Sequence, residues 1–243
     1  MEGKEKRLSE EQLDFLAEMM NVGAGNAATA LTKMLQCEVD VRIPRVHALA
    51  VPQVPSVLSD PSRPVACVRM GMVGEVTGDL FFIVPDDQKI ALIRLAERAS
   101  GMWNVECGIQ NQQSPVDLSV LAEIGNILAG VYLTAIHDFC KLNIYHTVPR
   151  VAIDMIQSLL DESLATMSRE VEEIIMVVND FIAADGHITT YFLVIPSPQS
   201  VKTLVDSIEE ARSALMKGEG ETVTGRNGDG ERGRNGERVI DDE

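Results

Sequence analysis

Two pairs of residues have the types and spacing to do chemistry together. Glu18 precedes Asn21 by three positions, and Glu123 precedes Asn126 by the same step. Residues three apart on a helix are neighbours on one face, so each pair would set a carboxylate beside a carboxamide. The carboxylate only accepts hydrogen bonds, whereas the carboxamide both donates and accepts without carrying charge. Asp14 and Ser119 lie one turn before the pairs and Gly25 and Gly130 one turn after, all in the same stripe. Glycine there lets another backbone come close. A single Glu-x-x-Asn needs no function, because the wet side of any amphipathic helix carries polar residues. Its recurrence changes the argument: solvated positions would accept Lys, Gln, Arg or Ser equally well, yet both stretches keep Glu and Asn while neighbours such as Met19 and Ile124 differ.

The pairs belong to an internal repeat. Displacement by 105 residues matches Ser9 with Ser114, Leu13 with Leu118, Leu16 with Leu121, Ala17 with Ala122, Glu18 with Glu123 and Asn21 with Asn126. The same displacement continues through Ala24, Gly25, Thr29 and Ala30 to Pro44-Arg45-Val46, which matches Pro149-Arg150-Val151. Further on, Phe81-Phe82-Ile83-Val84-Pro85 aligns with Phe192-Leu193-Val194-Ile195-Pro196 at a displacement of 111, as if the second copy had gained six residues in a loop.

Each copy reads as a long helix, an extended segment entering at the proline, a β-hairpin and a closing helix. Ser9 with Gln12 forms a capping-box pattern, and Ser114-Pro115 is an N-cap followed by proline at the first helical position. Leu13, Leu16, Ala17, Met20 and Ala24 then make an apolar stripe, repeated by Leu118, Leu121, Ala122, Gly125 and Ala129. The hairpins are expected over 66–84, punctuated by Gly71, Gly74 and Gly78, and over about 171–195 around Ala184-Asp185-Gly186. Closing helices are expected over 86–101 and 199–217. The fold class is therefore α+β: two tandem helix-plus-hairpin units with pseudo-twofold symmetry, strands in a shared sheet, and both long helices exposed on one side. Strand order stays open, parallel pairing included. Repeat one covers about 9–104 and repeat two about 112–217 of a domain spanning 1–217.

Bulk composition sets the surroundings. With 243 residues and 45% apolar content the chain can bury a substantial core. No uninterrupted apolar run approaches a membrane span, and the start MEGKEKRLSEEQ lacks the apolar core of a signal peptide, so a soluble cytoplasmic protein is expected. A formal charge of −16 argues against nucleic acid as a partner, which requires a basic footprint, and favours a basic or mixed-charge protein surface. Residues 218–243 hold eight acids, four arginines and seven of the 18 glycines with almost nothing apolar, and are expected to be a disordered tail.

The pattern Asp14-x3-Glu18-x2-Asn21-x22-Pro44, repeated as Ser119-x3-Glu123-x2-Asn126-x22-Pro149, resembles the double motif of the CheC-type chemotaxis phosphatases, a family that also includes CheX and FliY. The likeness runs through the NVGAGNAATAL and GNILAGVYLTAI stretches and covers essentially everything before the tail. Single-site CheX-type relatives look less similar, and FliY carries a further domain.

The resemblance implies hydrolysis of the aspartyl phosphate of CheY, a receiver-domain response regulator. Glu18 and Glu123 would dock a receiver lysine, and Asn21 and Asn126 would position the attacking water. Asp14 and Ser119 would support them, while Pro44 and Pro149 are structural signatures. No cofactor of its own is implied, since the receiver's acids would hold the Mg2+. Association with the receptor deamidase CheD is implied as well. The alternatives are a non-catalytic adaptor for CheD or phosphorylated CheY, and a flagellar switch component.

Other signals are weaker. Gly23-Ala-Gly-Asn imitates a dinucleotide fingerprint but lies inside a helix with no preceding strand, and suits close helix packing better. His47, His137, His146 and His187 lack metal-ligand spacing. Cys37, Cys67, Cys107 and Cys140 form no CxxC pair and read as reduced, mostly buried thiols. Ser158 and Ser163 sit in no nucleophile turn, and Met70 and Met72 suit core packing.

Overall fold

The first long helix, α1, runs Glu10–Leu35, and its start is held by the expected capping box. The Ser9 hydroxyl accepts from the Gln12 backbone N–H at 3.2 Å, and the Gln12 side chain accepts from the Ser9 N–H at 3.0 Å. Two donors that the helix cannot use internally are thereby satisfied. The residues described by a computed structural model of the chain are 8–58, 62–99, 115–166, 173–183 and 186–223. The Ser114 cap and the segment expected to be a disordered tail beyond Val223 lie outside them. The second long helix, α4, spans Pro115–Cys140, so both have 26 residues and begin at equivalent positions. Both also stop alike, at Gln36 and Lys141, which adopt left-handed φ angles of 47° and 58°.

Among the described residues one eight-stranded sheet is formed by β1 (Val39–Val41), β2 (Arg45–Ala50), β3 (Val65–Gly74), β4 (Gly78–Pro85), β5 (Ile144–His146), β6 (Arg150–Asp154), β7 (Glu173–Ala183) and β8 (Gly186–Pro196). The order is β1-β7-β8-β4-β3-β5, with β2 beside β1 on β7 and β6 beside β5 on β3. Every ladder is antiparallel, so the parallel pairing left open by the repeat pattern does not occur. The short strands are exchanged between repeats. Those of the first copy cover the hairpin of the second, and those of the second cover the hairpin of the first. Neither repeat therefore closes its own sheet edge, which would otherwise be open for pairing with another chain.

Helices lie on both faces of the sheet. On one face α1, α4, α3 (Asp86–Ala99) and α6 (Pro198–Val223) enclose Val68, Met70, Leu80, Phe82, Val177, Phe192 and Val194. On the other α2 (Val54–Val57) and α5 (Ile156–Thr166) cover Cys67, Phe81, Ile83, Met176 and Leu193. Strands covered on both sides lose the alternation of a half-wet sheet and read as unbroken apolar runs. That explains why α2 and α5, which do the covering, were not legible from the hairpin strands. Full burial of Phe82 or Phe192 contributes about 2–3 kcal/mol each.

Two details of the sequence reading change. Phe81 lies on the α2/α5 face while Phe192, its partner at a displacement of 111, lies on the opposite face. Because side-chain direction alternates along a strand, an odd slip in register exchanges the faces. The ladders give the true correspondence. Arg45 stands opposite Val178 and its counterpart Arg150 opposite Arg69, which relates β3 to β7 at 109. Phe82 stands opposite Phe192 across the pseudo-twofold axis, which relates β4 to β8 at 110. The extra residues of the second copy thus enter in more than one place. The last helix also runs on to Val223, so residues 218–223 continue α6 beyond the expected end at 217.

The core stripe of the long helices is rotated from its expected position. Leu16, Met20 and Ala24 are buried, but Leu13 and Ala17 are only half-covered, and Met19, Gly23, Ala27, Leu31 and Leu35 complete the stripe. On α4 the buried positions are Leu121, Ile124, Gly125, Leu128, Ala129, Tyr132, Leu133, Ala135 and Ile136. These make Leu118–Cys140 apolar enough in composition to cross a membrane, with mean hydropathy 1.6. Its apolar face is instead packed on the sheet and on α1. The two helices run antiparallel: Phe15 meets Phe139 edge-on at 6.2 Å, and Gly23 lies against Tyr132, where a Cβ would come within 2.9 Å of the ring. The Tyr132 hydroxyl in turn donates to Asn179 Oδ1, tying α4 to β7.

Candidate active site

The rotation of the core stripe fixes what faces outward. Met19 and Met20 are fully buried on α1, as is Ile124 on α4, and these anchors leave the intervening face free. Asp14, Glu18, Asn21 and Gly25 are exposed on α1; Ser119 and Glu123 are exposed on α4, and Asn126 and Gly130 are half-covered. Within each pair the Cβ atoms are one turn apart, about 5–6 Å. Among the described residues, no hydrogen bond or ion pair engages the side chains of Glu18, Asn21, Glu123 or Asn126. Among the described residues, each pair therefore presents a carboxylate and a carboxamide with no protein partner for either side chain. Asp14 makes no bond to Glu18 in this conformation.

Because α1 and α4 are antiparallel and both pairs sit in the first half of their helix, the two displays lie toward opposite ends. Glu18 is level with the region of His137, so along the axes the two glutamates are roughly 20 Å apart and the two asparagines roughly 12 Å, at 1.5 Å per residue. Gly25 faces open space, and a Cβ on Gly130 would meet only His146 Nε2 at 3.9 Å, so another backbone can approach both helices.

Pro44 is buried between β1 and β2, and Pro149 is half-covered between β5 and β6; they mark the break between two edge strands and not the exit from a helix. Proline cannot donate to a ladder, so it interrupts the pairing there. The residues before them, Ile43 and Val148, are 75% and 82% exposed, the largest exposures among the large apolar side chains described. Their signal was present in the sequence as apolar residues at equivalent positions directly before the matched Pro-Arg-Val.

The remaining candidates do not converge on the pairs. Cys67 is buried and its thiol is pushed up to about 12 by desolvation, and burial raises Cys140 to about 11, so both stay protonated and unreactive near neutrality. Cys107 and Ser163's side chain lie outside the described structure, and Ser158 is simply exposed on α5. Among the described residues, no group of three or more His, Cys, Asp or Glu side chains is placed to hold a metal ion.

A model of the CheC-like family matches residues 11–47 and 116–153, the two motif helices with the edge strands that follow. The "CheY-P phosphatase CheC" of Bacillus subtilis (strain 168) is 35% identical over 171 residues, covering 70% of this chain and 79% of that protein. Among solved structures, Thermotoga maritima FliY superposes with a TM-score of 0.66 at 18% identity, over 85% of this chain and 100% of that one. The FliM middle domain of H. pylori gives 0.59 at 13% identity over 82% and 99%. The last two share the fold. Together with the duplicated helices, the extent of identity to the B. subtilis protein establishes that the chain belongs to the CheC-like family.

Proposed function

We propose that this chain is a cytoplasmic phosphatase that hydrolyses the aspartyl phosphate of the CheY receiver domain, using two equivalent helix faces. The observation that carries the proposal is the pair of outward, unpartnered Glu–Asn displays on α1 and α4, in a chain similar to a protein named for that activity. An acyl phosphate already has a good leaving group, so the catalytic task is chiefly to hold a water in line with the bond to phosphorus. Asn21 or Asn126 suits that task, because its amide orients a water without bringing negative charge toward the phosphoryl oxygens. Glu18 or Glu123 would pair with a receiver lysine and so bring the amide into the partner's site. The Mg2+ in this scheme is the receiver's, held by its own acids and the phosphoryl group.

A substoichiometric amount of the protein mixed with phosphorylated CheY is expected to speed phosphate release well beyond the receiver's own rate, through many turnovers. Stoichiometric complex formation with an unchanged phosphate lifetime would instead support the adaptor reading. Co-purification with CheD tests the second partner that the family implies.

A further inference from the structure

The breaks at Pro44 and Pro149 each hold out one apolar side chain, and the ladders show how. Val41 stands opposite Phe181 and Arg45 opposite Val178, so four steps along the edge strand oppose three on β7. His146 stands opposite Met72 and Arg150 opposite Arg69, so the second edge gains one residue over β3 in the same place. Each break is thus a β-bulge, a device that re-aims a side chain. Alternation is reset across it: Val41 and Val46, five apart, both pack against the helix-side core. Proline, with no N–H to pair, keeps the ladder from closing there. The chain displays Ile43 at the first bulge and its counterpart Val148 at the second, 75% and 82% exposed.

Both bulges flank the Glu–Asn displays. β1 and β2 run beside α1, and β5 and β6 beside α4. On α1, Phe15 and Gly23 face α4. Asn21 is about 120° and about 160° around the helix from them, on the flank toward the β1–β2 edge. Asn126 is about 120° from Tyr132 and about 140° from Phe139, on the matching flank of α4. The level agrees as well. Thr32 accepts from the Val39 N–H at 3.1 Å, which sets the start of β1 beside that turn of α1. The four residues from Val39 to Ile43 run back along the helix for about 13 Å, the length of about nine helical residues. Ile43 is therefore level with Gly23, between Asn21 and Gly25. In the second copy a cleft of about 290 Å³ beside Gly130 has His137 and Ile144 among its walls. From Ile144 the same four-residue step passes His146, next to Gly130, and brings Val148 level with Leu128, half a turn beyond Asn126.

An exposed apolar side chain therefore recurs wherever the Glu–Asn display recurs, and on the same flank of it. A second copy of this chain is a poor occupant. Ile43 and Val148 project singly from opposite edges of the sheet, whereas a stable dimer buries roughly 800 Å² on each partner. A protein that already covers the display needs only one more contact to bury the side chain beside it, and a buried apolar anchor next to a charged pair is the composition of an interface centre.

We propose that Ile43 and Val148 are apolar anchors for the receiver domain: CheY docked on the Glu18–Asn21 face buries Ile43, and CheY docked on the Glu123–Asn126 face buries Val148, each against an apolar patch beside the phosphorylation pocket. The inference rests on the phosphatase reading and names a docking contact of that same site. Asn21→Ala leaves turnover to the second face and Asn126→Ala leaves it to the first. In these backgrounds hydrolysis of phosphorylated CheY is followed over a range of receiver concentrations, and binding of the phosphorylated receiver is titrated alongside.

In the Asn21→Ala background Val148→Asp is expected to raise KM at least tenfold with kcat unchanged, while Val148→Ile keeps KM within twofold. In the Asn126→Ala background Ile43→Asp should do the same to the first face. Val148→Asp should move neither constant there, which also reports an intact fold. A KM that the aspartates leave in place on their own faces overturns the contact, as does a fall in kcat alone. So does a parent chain that sediments as a dimer and is split by either substitution, since the side chains would then meet a second copy. Absence of hydrolysis in both parent variants overturns the phosphatase reading; the contact then stands if the same substitutions raise the Kd for phosphorylated CheY tenfold, and falls if they do not.

Discussion

A chain carrying Glu18→Lys and Glu123→Lys is expected to bind phosphorylated CheY about 100-fold more weakly than the parent, since removing one side of a desolvated charge pair costs about 2–5 kcal/mol and reversal adds repulsion. The two carboxylates are suited to this test because each is exposed and none of the described side chains bonds to it. Their replacement should therefore change stability by no more than about 0.5 kcal/mol. A titration of phosphorylated receiver followed by a thermal melt separates the two effects. An unchanged Kd in a fully folded variant would take both glutamates out of the interface.

Replacement of Asn21 and Asn126 by aspartate addresses chemistry where the glutamates address docking. Asparagine and aspartate are nearly the same size, so the helix face keeps its shape and only the charge is altered. In the proposed mechanism the added negative charge faces the phosphoryl oxygens and the side chain can no longer donate to the water. A fall of about 100-fold in kcat is expected, equivalent to about 2.7 kcal/mol at the transition state. Turnover at saturating receiver measures it. Activity that is retained or raised would mean that the position works as a general base and not as a neutral holder of water.

The sequence made some of this architecture legible and hid the rest for physical reasons. Identities at a constant displacement through Glu18, Asn21 and Pro44 located both long helices, since the same polar and apolar stripes recur in each copy. The hairpins announced themselves through Gly74 and Gly78, where left-handed backbone is needed and a Cβ would collide with the carbonyl oxygens of Asn143 and Ile195. The three-residue strands β1 and β5 were not separable from the loops around them, because their pairing partners lie far away in the other repeat. The face of each strand was lost for a related reason. Phe81 and Phe82 are both fully buried under helices on opposite sides, so composition could not say which of them matched Phe192. The outward direction of the Glu–Asn pairs followed from their offset against the apolar stripe, even though that stripe centres on Met19, Gly23 and Ala27 and less on Leu13 and Ala17. The cleft beside Gly130 could not be read, because it arises where α4 meets β5 and its histidines carry no recognisable spacing.

Single-turnover loss of phosphate from the receiver, under saturating amounts of Asn21→Ala, Asn126→Ala and the double variant, puts the central claim to its most direct test. The account predicts that each single variant keeps part of the parent's rate and that the double variant falls to the rate of the receiver alone while still forming the complex. A double variant that releases phosphate as fast as the parent would contradict it.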